Sequence, residues 1–196
     1  LTALGRAQAE AAAAWLSADP GAETCLGWPR PTALYASDLD RAVQTAAPMG
    51  TALGLEPQLD PDLREMSFDE LEGLTWPEVE ASHPAVSLRL WGDHADHSAR
   101  APGGESRADM HRRSSRAIAA IAGRHPGEAV AVVSHGGVIG FFLRGVLGIP
   151  FDLRPGFSTP NGAIAAFRYA DGRFKLLTWG LAPISRRGRA TAFDPA

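Results

Sequence analysis

The stretch VVSHGGVIG, residues 132–140, sets a run of β-branched residues directly against a serine, a histidine and two glycines, after which an apolar helical pattern resumes. Extended upstream to AVAVVS (129–134), it reads as a central, parallel strand that ends in a tight corner and feeds the helix GVIGFFLRGVLG. A second corner of this kind lies earlier. TALYAS (32–37) reads as a short buried strand, and Leu39, Ala42, Val43, Ala46, Gly50 and Leu53 then fall at helical spacing, with Ser37 and Asp40 resembling a capping box. In open α/β sheets the ligand crevice lies beyond the carboxyl ends of the strands, where helix N-termini offer free N–H groups and a positive dipole end. Gly136 and Gly137 let the backbone come close to a ligand, and the amides after His135 suit anionic oxygens.

Outward from these corners the chain alternates strand and helix. Leu4, Ala7, Ala11, Ala14 and Trp15 share one helical spacing, which predicts a helix over 2–18 that starts at Thr2 and is ended by Asp19-Pro20-Gly21. Residues 55–104 carry five prolines, a short helical candidate at TWPEVEAS and a polar His/Asp/Arg stretch before APGGES, and so form an excursion from the regular core. Met110, Ser114, Ala117, Ile118, Ile121 and Ala122 mark a long helix from Glu105 to His125. AIAAFRYADGRFKLLTWG reads as two strands joined at Asp171-Gly172, and SRRGRATAFDPA (185–196) as a tail without periodicity. The fold class is α/β: a three-layer α/β/α sandwich with a mostly parallel sheet, to which the late hairpin adds an edge. Residues 1–184 form one domain, with 66–104 as the excursion that covers the site.

Composition narrows the function classes. Among 196 residues, 45% are hydrophobic and the formal net charge is -3, which excludes a broad cationic footprint for nucleic acid or anionic lipid. One cysteine, Cys25, cannot form an intramolecular disulfide, and no apolar run approaches a membrane span, so a cytoplasmic location is expected, with neither nucleic acid nor membrane as partner. His94, His97 and His111, with Asp93 or Asp96, lack the spacing of zinc motifs, and no metal site is expected. His94, His97 and Arg100 are expected at the pocket mouth or in solvent. Arg41 is the informative cation: in a first helical turn it opposes the macrodipole, so either a bound anion offsets it or it pairs with Asp38 and Asp40 on a solvated face.

LTALGRAQA (1–9), SDLDRAVQTA (37–46), LREMSFDELEG (63–73), PGGES (102–106) and VVSHGGVI (132–139) occur in an order and at separations that resemble the histidine phosphatase superfamily, the phosphoglycerate mutase-like proteins of branch 1. The resemblance spans nearly the whole chain. It implies a phosphate held between two histidines and two arginines, one histidine carrying a covalent phosphoryl group that water later removes. Arg41 is then the second pocket arginine, Glu65 the acid that protonates the leaving group, and His135 the second histidine, aided by the Gly136 amide. The implied reaction is metal-independent hydrolysis of a small phosphorylated metabolite, without a cofactor. A phosphoglycerate mutase and a non-catalytic phospholigand-binding relative are the alternatives. Oligomeric state stays open, a homodimer included.

The family's first motif, an Arg-His-Gly at the end of the first strand, precedes the LTxxG segment, whereas this chain begins at Leu1. None of His83, His94, His97, His111 or His125 lies in such a context. We therefore expect the nucleophile and first strand in an N-terminal segment ahead of Leu1, and the chain as written to be inactive. FDELEG also departs from the more usual Phe-Gly-x-Trp-Glu-Gly at Asp69 and Leu71.

Overall fold

The computed structural model describes residues 1–18, 28–91, 96–153 and 156–183. The tail read at 185–196, and His94, lie outside the described residues. A short parallel sheet organises the rest, with β1 (Ala33–Ala36) between β2 (Gln58–Leu59) and β3 (Val130–Val133). All four residues of β1 are buried, because helices cover both faces. Leu34 and Ala36 join Ala131 and Val133 of β3 under α1 (Ala3–Ser17) and α2 (Asp40–Leu53), while Ala33 and Tyr35 face α5 (Arg107–Arg124) through Ala117 and Ile121. This period-two division makes the three layers of the expected sandwich.

The sequence reading of α1 is corrected by the structure. Thr2 does cap the helix, accepting the Gly5 N–H at 3.1 Å, but the buried face is Ala9, Ala12 and Ala13, and Leu4 is 63% exposed. Small side chains on this face let α1 lie close along α2, where Ala42 and Ala46 meet them. The helix of residues 105–125 forms as α5, capped by Ser106, whose Oγ accepts the Asp109 N–H at 3.1 Å.

Two further expectations about the sheet are revised. The strand at Val130–Val133 is parallel, as expected, but β1 is the central strand and the far edge of β3 pairs with no described strand. The hairpin of β4 (Ile164–Ala170) and β5 (Arg173–Leu181) forms its own antiparallel pair instead of extending the parallel sheet. Its two-residue turn needs positive φ twice, supplied by Asp171 (52°) and Gly172 (73°). It attaches to the body through Phe142 of α6 (Gly136–Leu147), whose ring meets Phe167 and Phe174 edge-on, each at 5.0 Å.

The excursion is more regular than its prolines suggest. Thr75 and Glu78 make a reciprocal capping box that starts α3 (Trp76–Ser82), and α4 (Pro84–Trp91) follows it directly. Leu71, Val79 and Ala101 give this region a small core of its own.

Enlarging Ala46, which is fully buried between α1, α2 and the sheet, tests the close helix packing. Ala46→Leu is expected to lower stability in urea denaturation by about 1–3 kcal/mol. Ala14→Leu, on the exposed face of α1, is expected to change it by no more than about 0.5 kcal/mol.

Candidate active site at two adjacent strand ends

Because β1 and β3 are parallel and pair Ala36 with Val133, their carboxyl ends release the chain side by side. The ladder runs one step further, the Ser37 N–H donating to the Val133 carbonyl at 2.9 Å. Arg41, in the first turn of α2, and His135, immediately before α6, therefore meet, with Arg41 Nε–H donating to His135 Nδ1 at 3.1 Å. Nδ1 thus accepts, so the neutral ring carries its proton on Nε2, which bonds the buried Ser37 hydroxyl at 2.8 Å. Burial first, and then the nearby Arg41 and Arg113 charges, push the His135 pKa down to about 4 against the opposing influence of Asp38.

Ser37 does not close a capping box, as its sequence position suggested. Helix α2 begins at Asp40 with no side-chain cap, and Ser37 Oγ accepts the Leu39 N–H at 3.3 Å while it holds His135. Nor does Arg41 pair with its neighbouring aspartates. Asp38 receives a two-pronged bond from Arg64 at 2.6 and 2.5 Å, which holds its carboxyl below the usual range, and Asp40 accepts from Gln44 at 2.6 Å. Arg41 is exposed but forms no ion pair with Asp38 or Asp40.

Glu65 arrives from the irregular segment after β2. Its Oε2 accepts the Gly137 N–H at 2.8 Å and its Oε1 the Met66 N–H at 3.1 Å, so the carboxylate lies at the positive end of α6. A Cβ at residue 137 would stand 2.4 Å from Glu65 Oε1, so only glycine permits this approach. The amide of Gly137, the second glycine of the corner, is thus taken by the protein's own carboxylate. Arg41, Glu65, His135 and Gly136 are all brought to neighbouring strand and helix ends, as the motifs suggested.

Residues that sequence reasoning missed hold Glu65 in place. Arg113 donates to the carbonyls of Asp62 at 2.7 Å and Arg64 at 3.1 Å, directly before Glu65. The same guanidinium grips Glu105 at 3.0 and 2.7 Å, a pairing that raises the Arg113 pKa. Ser134 adds a bond from its hydroxyl to the Leu63 carbonyl at 2.8 Å. Arg113 had no sequence signal as a site residue, since most of its acceptors are main-chain carbonyls that any residue supplies.

Beside Glu65 opens a crevice of about 440 Å³, lined by Arg64, Ser67, Arg100, Gly104 and Arg113 among others. Arg100 reaches it as the pocket-mouth reading expected, ion-paired to Asp109 at 2.6 Å. His97 does not; it is enclosed beside Phe141 and Phe151. Among the described residues no group of three or more His, Cys, Asp or Glu is placed to hold a metal ion, and no helix is long and apolar enough to cross a membrane.

The family model of the histidine phosphatase superfamily (branch 1) matches residues 1–182. A glucosyl-3-phosphoglycerate phosphatase of Mycobacterium tuberculosis is 33% identical over 158 residues, covering 76% of this chain and 65% of its own length. A metal-independent phosphoserine phosphatase of Arabidopsis thaliana is 37% identical over 117 residues, covering 59% and 49%. The solved mycobacterial glucosyl-3-phosphoglycerate phosphatase in complex with VO3 superimposes with a TM-score of 0.73 at 30% identity, over 92% of this chain and 86% of that one. This chain thus spans just under two thirds of the mycobacterial relative's sequence while sharing its fold. Matched by that family model over residues 1–182, the chain belongs to branch 1 of the histidine phosphatase superfamily.

Proposed function

We propose that the protein is a metal-independent phosphomonoester hydrolase that works on a small phosphorylated metabolite through a phosphohistidine. The convergence of Arg41, His135 and Glu65 on two adjacent strand ends carries this reading. The two named relatives are phosphatases of phosphorylated small molecules. In the proposed reaction a histidine nitrogen attacks phosphorus, the ester P–O bond breaks, and Glu65 gives a proton to the departing alkoxide. Water then attacks the phosphohistidine, Glu65 takes its proton, and inorganic phosphate leaves. Arg41 and the Nε2–H of His135 meet the phosphoryl oxygens, so phosphate binding exchanges the Arg41–His135 and His135–Ser37 bonds for bonds to the anion.

The nucleophile in this reading comes from an Arg-His-Gly strand ahead of Leu1. One observation supports that placement. The far edge of β3 carries no described partner, and unpaired strand edges are costly inside an α/β sandwich. Helix α1 would then be the crossover from that strand to β1.

The test uses the protein with its upstream coding sequence, which should encode Arg-His-Gly. His135→Ala and Arg41→Ala are expected to lower kcat/KM for phosphate release by about 10²–10⁴-fold. Glu65→Gln should slow alkyl phosphates strongly and p-nitrophenyl phosphate little, since only the alkoxide needs its proton. The 196-residue chain alone should release no phosphate. Turnover by it would place the nucleophile elsewhere, and isomerisation of 3-phosphoglycerate faster than hydrolysis would make the protein a mutase.

Arg113 is proposed as a positioning residue for Glu65. Arg113→Lys keeps the charge but cannot gather Glu105 and the carbonyls at once. It should reduce kcat about tenfold while KM changes less than about twofold, as expected for an acid moved out of register rather than a lost substrate contact. An equal effect on both constants would remove that role.

His135 gives a pH signature. Its ring should titrate near 4 in the free protein and move upward when vanadate binds, read by NMR of the ring nitrogens. Its folded pKa lies below the unfolded value near 6.5, so the unfolded chain binds more protons between those values. The stability that His135 contributes is therefore complete above about pH 6.5 and declines as pH falls toward 4. His135→Gln should flatten this part of the stability profile. An unshifted ring on vanadate binding would exclude His135 from the phosphate pocket.

A further inference from the structure

The turn Ser37-Asp38-Leu39, between β1 and α2, is held at each of its three residues. The Ser37 N–H donates to the Val133 carbonyl at 2.9 Å, Asp38 is gripped by Arg64 at 2.6 and 2.5 Å, and the Leu39 carbonyl accepts the Val43 N–H at 3.1 Å. Ser37 Oγ therefore sits on a backbone fixed to β3, the strand that delivers His135 two residues after Val133. The other partner of His135, Arg41, is exposed and reaches the ring through a long side chain. Of the two, the serine is the rigid one.

The hydroxyl has one proton to give and two lone pairs with which to accept. Because Arg41 donates to Nδ1, His135 presents Nε2–H to Ser37, and Oγ accepts it at 2.8 Å. The Leu39 N–H takes the second lone pair at 3.3 Å. Both accepting directions are then used, while the serine's own proton has no acceptor among the described residues. Ser37 is fully buried, and an unspent donor in such a place costs free energy. The usual employment of a serine at the head of a helix is also missing, since α2 begins with no side-chain cap. The positive end of α2, the Arg41 charge and the unspent Ser37 proton all meet at His135.

In the reaction proposed above, a phosphoryl oxygen takes over the Nε2–H that Ser37 now accepts. Oγ is closed off on this side by the imidazole to which it is bonded, and the exchange opens it. Two oxygens that flank one N–H, each at about 2.8–3 Å from the nitrogen, stand within hydrogen-bond reach of one another. With only lone pairs facing, that approach is repulsive. With the Ser37 proton turned to the anion it becomes attractive, and it closes a ring of Nε2–H, phosphoryl oxygen and Oγ–H.

We infer that Ser37 is a further phosphate-binding residue, whose hydroxyl accepts from His135 in the empty site and donates to the phosphoryl oxygen in the filled one. The inference rests on the hydrolase reading for placing the anion at His135; the unspent buried proton and the fixed turn belong to Ser37 itself. A hydroxyl suits the position because it reverses roles by rotation about one bond. Alanine does neither task, and a carboxylate would repel the anion.

The test is calorimetric titration of the protein, with its upstream sequence, against inorganic phosphate. Ser37→Ala is expected to weaken phosphate binding about 10- to 100-fold, the worth of a hydrogen bond to a charged group. A second measurement separates contact with the anion from mere orientation of the ring. In a His135→Gln background, Ser37→Ala should again weaken binding by a similar factor, because the hydroxyl bonds the anion directly; a serine that only orients the ring would lose nothing further there. Unchanged affinity in Ser37→Ala, or a loss that disappears beside His135→Gln, overturns the inference. If the protein hydrolyses phosphomonoesters and either of those results is found, Ser37 alone is removed from the site. If phosphate binding depends on Ser37 in both backgrounds but no ester is hydrolysed, the residue stands and the hydrolase reading fails.

Discussion

Everything at the proposed site depends on the register in which β3 pairs with β1. Opposing Ala36 with Val133 brings Ser37 and His135 out of the sheet on adjacent strands, and so places the first turns of α2 and α6 side by side. A slip of one residue would turn every side chain of β3 to the other layer, moving Ala131 and Val133 out of the core under α1 and α2. The apolar alternation that buries those residues therefore also fixes the meeting of Arg41 with His135. Packing and chemistry are set by one constraint.

Glu65 is placed by different means. It lies on an irregular segment with no ladder to align it, so its position rests on explicit polar ties from three elements. Arg113 of α5 gathers the preceding carbonyls, Ser134 after β3 holds Leu63, and Asp38 after β1 grips Arg64. The amide of Gly137 then receives the carboxylate at the head of α6. Loss of one tie would loosen Glu65 without unfolding the sheet, which separates the placement of this carboxylate from global stability in this part of the molecule.

The corners were legible in the sequence because an apolar strand, a short polar corner and a resumed helical period produce a strong local pattern at 32–46 and again at 129–148. Arg41, Glu65 and His135 could be named because each lies in a motif. What escaped was set by distance or by low contrast. Arg113 acts on carbonyls 49 and 51 residues away, and main-chain acceptors leave no mark in a sequence. The face of α1 was misplaced because alanines occur all round that helix, so its packing was chosen by the close approach of α2 rather than by hydrophobic periodicity. The apolar run at Val130–Val133 showed burial but not sheet order, and it stands beside β1 with one edge unpaired among the described residues.

The arginines separate structural from ligand-directed charge more sharply than their sequence positions do. Arg64, Arg100 and Arg113 each end on a carboxylate, at 2.5, 2.6 and 2.7 Å, and each ties one segment to another. Arg41 ends on a histidine whose depressed pKa keeps it neutral, so its bond orients the guanidinium without cancelling its charge. A carboxylate in that place would have satisfied the cation and weakened its attraction for an incoming anion. The neutral partner preserves the field while fixing the geometry. On that physical ground Arg41 stands apart from the paired arginines, which are the frame that holds the site around it.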